Sequence, residues 1–464
     1  MSSNRTLRTR RAVLGTALTG AVALGASACI PGTGGTSTAA GTTGVAGVPD
    51  PKKAGKVTLT VWDGQTDGGG NTQLAELNKQ FQAKYPNVAI KRVARSFADL
   101  KTTLKLAISA NNPPDVVQVN QGYSDMVAFV KAGLLRPVDD YAGIYGWNSR
   151  YPQVLMDPNR VSVDAKHFGT GRLYGISQSS EYVGVYYNKR ILKRLGIDVP
   201  RTWDEFTAAL AKTKAAGTLP IEFGNLNKTM AIHVYGVILD HLAAAQSRDT
   251  VYNKAGGSYD TPETVEAARV LQDWVKKGWL SKDGNGQDQD AAYAGFAKGK
   301  SAFLVSGTWA MESLGSMGSN VGIVPPPPVK AGGASYSTGG PSTAMSITSR
   351  ARHPEVAAAY LDFITNANAS NVMTKNNVLP AIPGTAADAM PADSPNGQLV
   401  AGWKKLAADE GIVPYLDYST PTFYDTITAQ LQNLVAVKTT PQAFVDALQK
   451  DYASFLKQQQ GSGS

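Results

Sequence analysis

Histidines and glycine-rich segments are the first residues to test for chemistry. The chain has four histidines, His167, His233, His241 and His353. His233 and His241 are eight residues apart and could share one helix face, but neither stands in an H-E-x-x-H pattern, so no metal site is predicted. The glycine-rich stretch GQTDGGGN (64–71) lacks the lysine of a phosphate-binding loop, and no G-x-S-x-G motif occurs. The sequence therefore carries no recognisable catalytic or cofactor motif.

Carboxylates are the remaining candidates for catalysis. A glycoside hydrolase needs two carboxylates that face each other across a cleft, about 5–10 Å apart. Such a pair is defined in space and has no sequence signature; the pairing that we would test is Asp63 with Glu181 or Asp417. A secreted glycoside hydrolase or lyase therefore stays open as an alternative.

Aromatic and polar side chains collect at the ends of predicted strands. Trp62 and Asp63 end the first strand, NQGY (120–123) follows the third, and Trp309 follows SAFLV. Tyrosines, aspartate and phenylalanine crowd the segment YLDYSTPTFYD (415–425). Ligands of open α/β sheets bind beyond the carboxyl ends of strands, so these loops should meet at one edge. Aromatic faces with amides, hydroxyls and a few carboxylates suit a carbohydrate, whereas core packing is the alternative for each aromatic residue.

The elements that position these loops alternate between strand and helix. KVTLTVW (56–62) has the period-two pattern of a strand, and the apolar residues of TQLAELNKQFQAKY recur at helical spacing. TWDE (202–205) matches a capping box, and Thr-Pro pairs open two later helices, at 261–262 and 440–441. This alternation predicts an α/β protein with sheets covered on both faces.

Length and charge limit the class of protein. The body of roughly 400 residues exceeds one compact core and predicts two lobes. Lysines and arginines number 45 against 36 acids, which gives a net charge of +9. These basic residues are scattered, and no block resembles a nucleic-acid-binding arm.

The N-terminus has the pattern of an exported lipoprotein. Arginines precede a short apolar run, so residues 1–28 are predicted to be a signal peptide, exported by either the twin-arginine or the general secretory route. ASAC (26–29) resembles a lipobox, with Ala26 where leucine is usual. The single cysteine, Cys29, would receive a lipid; a free thiol after ordinary cleavage is the alternative. Residues 29–55 are predicted to be a flexible tether and residues 459–464 a disordered tail.

A family resemblance covers the body from about residue 56 to 456. KVTLTVWDGQTDGG…LNKQFQAKYPNVAIK resembles the start of extracellular solute-binding proteins of the maltose-binding type. The similarity continues through NPPDVVQVNQGY, LYGISQSSEYVGVYYNKRILKRLGIDVPRTWDEF, AYAGFAKGKSAFLVSGTWAMESL and VAVKTTPQAFVDALQKDYASF. The order and spacing of these segments carry the resemblance. Members of this family are recognition subunits of ABC sugar importers, and they are lipid-anchored in Gram-positive bacteria.

The resemblance implies a two-lobe periplasmic-binding-protein fold of type II, with a ligand cleft that closes by hinge bending. Lobe 1 would combine residues 56–178 and 338–392, and lobe 2 residues 182–335 and 395–458. The implied ligand-binding residues are Asp63, Gln65, Asn120, Gln121, Tyr123, Glu181, Trp309, Gly340 and Phe423. Clustering along the chain adds Trp62, Asp417 and Tyr418. Val119 holds a place where maltose-type relatives often carry tryptophan, which weakens any transfer of maltose specificity.

The expected function is that of a monomeric lipoprotein on the extracellular face of the cell membrane. It would capture a mono- or oligosaccharide and deliver it to an ABC permease, without catalysis, metal, cofactor or nucleic acid. A binding protein for a polyamine, phosphodiester or peptide is the alternative within the same class. A cleft rich in carboxylates would favour a cationic ligand, and a cleft rich in lysine and arginine an anionic one.

Overall fold

The computed structural model of the protein describes residues 47–461. The predicted signal peptide, Cys29 and the tether up to residue 46 lie outside the described residues, as do residues 462–464 of the predicted tail. The strands are β1 (Val57–Asp63), β2 (Val88–Ala94), β3 (Val116–Val119), β4 (Arg160–Val161), β5 (Arg172–Leu173), β6 (Ser180–Asn188), β7 (Leu219–Glu222), β8 (Ser301–Gly307), β9 (Val321–Val324), β10 (Ser337–Pro341), β11 (Ala344–Ile347) and β12 (Ile412–Val413).

Helices cover these strands. They are α1 (Gly68–Lys84), α2 (Phe97–Ser109), α3 (Ala128–Lys131), α4 (Asp139–Ile144), α5 (Trp147–Arg150), α6 (Gln153–Met156), α7 (Lys189–Leu195), α8 (Trp203–Ala215), α9 (Met230–Val251), α10 (Pro262–Lys276), α11 (Gln289–Ala297), α12 (Ala310–Ser313), α13 (Pro354–Phe363), α14 (Ala367–Lys375), α15 (Thr385–Asp388), α16 (Pro395–Ala408), α17 (Phe423–Val435) and α18 (Pro441–Gly461). Among residues 47–461, no helix is long and apolar enough to cross a membrane.

The first sheet has the order β11-β3-β1-β2 and defines lobe 1. β1 runs parallel to β2 and β3, while β11 is antiparallel to β3. The alternating residues Val57, Leu59 and Val61 are buried, as the period-two pattern predicted. The ends of β1 and β3 therefore lie side by side, and the loops that begin at Gly64 and Asn120 leave the same edge of the sheet.

The second sheet has the order β12-β10-β6-β8-β7, with β9 also paired to β6, and defines lobe 2. β6 is its central strand and is antiparallel to β8, β9 and β10. Because Gly339 pairs with Tyr182 and Gly340 with Glu181, the chain stays in this sheet as far as Pro341. It returns to lobe 1 a few residues later than the predicted boundary at 338.

Local signals explain where several helices begin. Thr202 Oγ1 accepts a hydrogen bond from the Glu205 backbone N–H at 3.1 Å, and Thr261 Oγ1 accepts one from the Thr264 N–H at 3.2 Å. Such a cap typically stabilises a helix by about 1 kcal/mol. The helices predicted after these threonines, α8 and α10, are confirmed.

The predicted tether and the predicted tail each contain ordered helical residues within the part of the chain that the structure describes. Pro51–Ala54 forms a 3₁₀ turn, and Asn87 Nδ2 donates to the carbonyls of Pro51 and Gly55 at 2.8 and 2.7 Å. At the other end α18 continues to Gly461. The tether boundary at 55 and the tail boundary at 459 are corrected accordingly, because the hydrogen-bonded body extends beyond them.

Candidate functional site

The two lobes meet between the carboxyl edge of the first sheet and the segments that follow β8 and β12. Asn120 Nδ2, after β3, donates to Asp417 Oδ2 in lobe 2 at 3.1 Å. The backbone N–H of Gly70, in the first turn of α1, donates to Glu312 Oε2 in α12 at 2.7 Å. These contacts join the loops that the sequence placed at one edge, and they define the border between the lobes.

A cluster of four side chains lies at this border: Glu181, His233, Trp309 and Tyr415. Tyr415 Oη donates to Glu181 Oε2 at 3.4 Å. The ring of His233 lies edge-on to Trp309, with centroids 5.1 Å apart, and 6.3 Å from Tyr415. All four side chains are partly exposed. We call this set the border cluster.

Glu181 is the acidic member of the border cluster. It lies near the start of β6, opposite Gly340. Gly340 has a φ of +139°, a backbone conformation that favours glycine, and a Cβ added there would meet no atom within 4 Å. Burial raises the pKa of Glu181 to about 7, against a slight lowering by the Tyr415 hydroxyl. The carboxyl group is therefore positioned to accept from, or when protonated to donate to, a ligand hydroxyl.

Trp309 is held by a short hydrogen-bond chain. Its Nε1 donates to Tyr293 Oη at 3.0 Å, and Tyr293 Oη lies 2.6 Å from Ser306 Oγ. Gly307 allows the ring to lie against the backbone, because a Cβ there would come within 2.0 Å of the indole. The indole thus has a fixed orientation and a partly exposed surface.

Asn120 and Asp417 form the second polar contact of the border. Asp417 is 7% exposed, and burial raises the pKa of its carboxyl group. Lys101, on α2, pairs with Asp125 at 2.6 Å and lies 4.4 Å from the ring centroid of Tyr424. Lys101, whose charge acts against the raised pKa of Asp417, is thus already engaged.

Asp63 does not face the border as a free carboxylate. It is fully buried, and Arg92 Nε and Nη2 each donate to it at 2.7 Å, while its Oδ1 also accepts from the Gln65 N–H at 2.9 Å. Both oxygens are occupied inside lobe 1, so Asp63 fixes the loop after β1. The expected hydroxyl partner is corrected to a structural ion pair, and the hydrolytic pairings that used Asp63 lose their support.

Trp62 and Gln65 stay near that loop and remain partly exposed. The guanidinium carbon of Arg95 lies 4.6 Å from the ring centroid of Trp62 and covers one side of the ring. The Arg92 guanidinium also donates to the backbone carbonyl of Gln65, which leaves the side chain of Gln65 as the ligand candidate in this loop.

Three predicted ligand residues lie instead in a buried interlobe seam. Gln121 Nε2 donates to Asn159 and to the Ser342 carbonyl, and Tyr418 Oη donates to Gln121 Oε1 at 3.0 Å. Tyr123 is 2% exposed and packs on Phe455 with ring centroids 4.7 Å apart. The seam consists of Gln121, Tyr123, Phe168, Tyr252, Tyr418 and Phe455. Gln121, Tyr123 and Tyr418 therefore join the lobes rather than line open space.

Phe423 belongs to the core of lobe 2. Its side chain is fully buried and stacks on Tyr259 with centroids 4.5 Å apart. The expected second stacking platform is corrected, because no face of this ring is free in the structure.

Glu312 is a border residue that the sequence reasoning missed. Asp67, the N-cap residue of α1, makes no side-chain capping bond, and Glu312 from lobe 2 supplies the missing acceptor across the border. Glycines 68–70 permit this approach, since a Cβ on Gly70 would come within 2.6 Å of Glu312 Oε2. Burial, with the nearby charges of Glu181 and Asp67, raises the pKa of Glu312 to about 8. The glycine run that lacks a P-loop lysine is therefore explained by this interlobe contact.

Stability should fall as pH rises from about 4.5 to about 8 and should change little above that. Burial raises the pKa of Glu181, Glu312 and Asp240 to about 7, 8 and 7 in the folded chain, well above the usual carboxyl range of the unfolded chain. An acid with a raised folded pKa contributes stability that is fully present below its unfolded pKa and lost as pH rises through the folded pKa. His233 offsets part of this fall below about pH 6.5, because burial lowers its folded pKa to about 4 while the unfolded histidine still binds a proton there.

Urea denaturation at several pH values measures this fall in the free energy of unfolding. Glu181→Gln and Glu312→Gln should each remove part of it, because an amide does not titrate. A free energy that is flat or rises, with no difference between wild type and the glutamine variants, would contradict the assignment.

Within residues 47–461 no group of three or more histidine, cysteine, aspartate or glutamate side chains is arranged to hold a metal ion. His241, the other histidine of the possible helical pair, stacks on Trp203 with centroids 4.1 Å apart.

The chain is similar to a family of known proteins, to individual relatives in sequence and to solved structures in fold. The sequence profile of the "Bacterial extracellular solute-binding protein" family matches residues 65–370, more than half of the chain. A relative from Pyrococcus horikoshii, described as an uncharacterized ABC transporter extracellular-binding protein, is 28% identical over 335 residues, 70% of this chain and 71% of the relative. The "Multiple sugar-binding protein" of Streptococcus mutans is 23% identical over 327 residues, 68% of this chain and 73% of that protein. The solved structure of a "Chitin oligosaccharide binding protein" superimposes with a TM-score of 0.74 at 22% identity, covering 86% of this chain and 98% of that one, and supports the two-lobe fold.

Proposed function

The chain belongs to the bacterial extracellular solute-binding protein family, and we propose that it captures a mono- or oligosaccharide for an ABC importer. Binding energy would stabilise the closed arrangement of the lobes, which the permease would recognise. Such a protein binds and releases its ligand unchanged, so we propose no catalysis.

The observation that carries this proposal is the border cluster. Trp309 and Tyr415 offer aromatic surface, Glu181 offers carboxyl oxygens, and His233 offers an uncharged ring. Sugar rings pack their C–H faces on aromatic rings, while their hydroxyls both donate and accept hydrogen bonds. An apolar surface with a few convergent polar groups is the usual chemistry of a small-molecule site.

The names of the relatives support the same class of ligand. One relative is described as a multiple sugar-binding protein, and one structural neighbour as a chitin oligosaccharide binding protein. A binding measurement identifies the particular sugar of this chain.

The interlobe hydrogen bonds support closure as the working motion. Gly70 with Glu312 and Asn120 with Asp417 each join segments far apart in sequence and belonging to different lobes. Opening about a hinge would break both contacts, and a ligand bound between the lobes would favour their formation.

A cationic solute such as a polyamine is the second candidate. Glu181, Glu312 and Asp417 bring three carboxyl groups to the border, whereas Lys101 is paired with Asp125. Burial raises the pKa of all three carboxyl groups, and a bound cation would favour their ionised form. The same experiment compares both candidates.

A thermal-shift panel tests the proposal. The panel contains maltotriose, raffinose, N,N′-diacetylchitobiose, galactose, spermidine and glycerophosphocholine. A ligand that binds only the folded chain adds about 2.7 kcal/mol of stability at 100 times its Kd. We expect a saccharide to raise the melting temperature; a rise with spermidine or glycerophosphocholine and with no saccharide would reject the sugar assignment.

Attachment to the membrane forms a separate part of the proposal. We propose that Cys29 carries a diacylglycerol and holds a monomeric receptor on the extracellular face of the membrane, beside its permease. Mass spectrometry of the mature N-terminus measures the modification, and Cys29→Ser is the matched control that should lack it.

A further inference from the structure

We infer that His233 is a specificity-determining residue of the border cluster, and that its Nε2–H donates a hydrogen bond to a hydroxyl oxygen of the bound saccharide. The inference rests on the proposed function and deepens it. His233 lies in the first turns of α9, an element to which the sequence assigned no ligand contact.

The imidazole lacks the hydrogen bonds that a buried ring normally makes. Nδ1 is buried without a partner, and no residue of the range 47–461 is hydrogen-bonded to Nε2 either. The side chain is nevertheless partly exposed, so Nε2 is the nitrogen that a ligand can reach. Buried polar atoms are satisfied in most proteins, and an exception points to a missing partner.

The two nitrogens are not equivalent in this environment. A neutral imidazole carries one N–H donor and one acceptor nitrogen. Buried donors without a partner are rarer than under-satisfied acceptors, so the proton belongs on Nε2, where a ligand can accept it. Burial also lowers the pKa of His233 to about 4, which keeps the ring uncharged at neutral pH.

A neutral donor at this place selects between ligand classes. Glu181 Oε2 already accepts from Tyr415, so the carboxyl group supplies acceptors to the cluster. His233 adds a donor on a ring whose centroid lies 6.3 Å from that of Tyr415. A sugar hydroxyl accepts from Nε2–H while donating to Glu181. An ammonium group only donates and would leave Nε2–H without a partner.

His241 is a matched control on the same helix. Its ring stacks on Trp203, and burial lowers its pKa as well, but it lies outside the border cluster. A general effect of removing a half-buried imidazole from α9 would therefore appear in both alanine variants.

Calorimetry and NMR test the inference on the full chain, with whichever of raffinose, maltotriose or N,N′-diacetylchitobiose stabilises the wild type most. His233→Ala should weaken binding of that saccharide about tenfold or more, His233→Gln should recover part of the loss because its amide can donate, and His241→Ala should stay within twofold of wild type.

In ¹⁵N-histidine spectra of the wild type, which need no variant to fold, the His233 resonances should report the Nε2–H tautomer and shift on saturation, while those of His241 stay in place. Saccharide binding that leaves the His233 resonances unmoved, or a His233→Ala affinity within twofold of wild type, would overturn this inference alone. Absence of any saccharide binding to the wild type would overturn the proposed function and this inference with it.

Discussion

Trp309→Ala is expected to lower saccharide affinity about 100-fold, a loss of about 2.7 kcal/mol that is typical of a tryptophan hot spot. The indole is held in place by Tyr293 and Gly307, so its partly exposed face is available without ordering a side chain on binding. Tyr293 keeps its hydrogen bond to Ser306 in the variant, which limits the polar cost of the truncation. Isothermal titration calorimetry measures the loss.

Trp203→Ala is the matched control for this substitution. Trp203 is also a partly exposed tryptophan of lobe 2, but it stacks on His241 and lies outside the border cluster. Both variants should lose stability in urea denaturation, and only Trp309→Ala should lose affinity. If Trp309→Ala unfolds at lower urea while its affinity is retained, Trp309 is a core residue and the border cluster does not bind the ligand.

Gly122→Ala is expected to lower the free energy of unfolding by about 3 kcal/mol. Gly122 has a φ of +79°, where a non-glycine residue is strained by about 1–2 kcal/mol. A Cβ there would also lie 2.4 Å from the Cα of Tyr418, so backbone of lobe 2 would have to move. The variant therefore opens the interlobe seam around Gln121 and Tyr123 as well as straining its own backbone.

Gly133→Ala separates these two costs. Gly133 has a φ of +67°, and an added Cβ would meet nothing within 4 Å. Its substitution should cost only the strain, about 1–2 kcal/mol, in the same urea titration. Equal losses for the two variants would mean that Tyr418 does not pack against the loop after β3, and the seam as described would be wrong.

Local sequence patterns predicted the elements because the interactions that fix them are local. Thr202 and Glu205 are three residues apart. The alternation of buried valines and leucine in β1 is complete within a strand of seven residues. The point after Pro341 at which the chain leaves the sheet of lobe 2 could not be predicted. It depends on pairing between Gly340 and Glu181, which are far apart in the chain.

The candidate site was predicted only in part, because exposure depends on distant partners. Asp63 and Phe423 have residue types suited to a sugar site, but Arg92 and Tyr259 bury them. Glu181 and Trp309 were predicted as ligand residues, and the structure brings them into one cluster, where their ligand contacts stay predictions. Glu312 and His233 carried no local signal: one is recognised by its contact with α1, the other by a ring nitrogen without a partner.

Capture of a saccharide at the lobe border is tested most directly by isothermal titration calorimetry. The wild-type chain and Trp309→Ala are titrated with the stabilising saccharide of the panel and, separately, with spermidine. The proposed function predicts that one saccharide binds per wild-type chain, that Trp309→Ala loses this binding, and that spermidine gives no binding heat. Stoichiometric binding of spermidine with no heat from any saccharide would contradict it and would assign the border to a cationic solute.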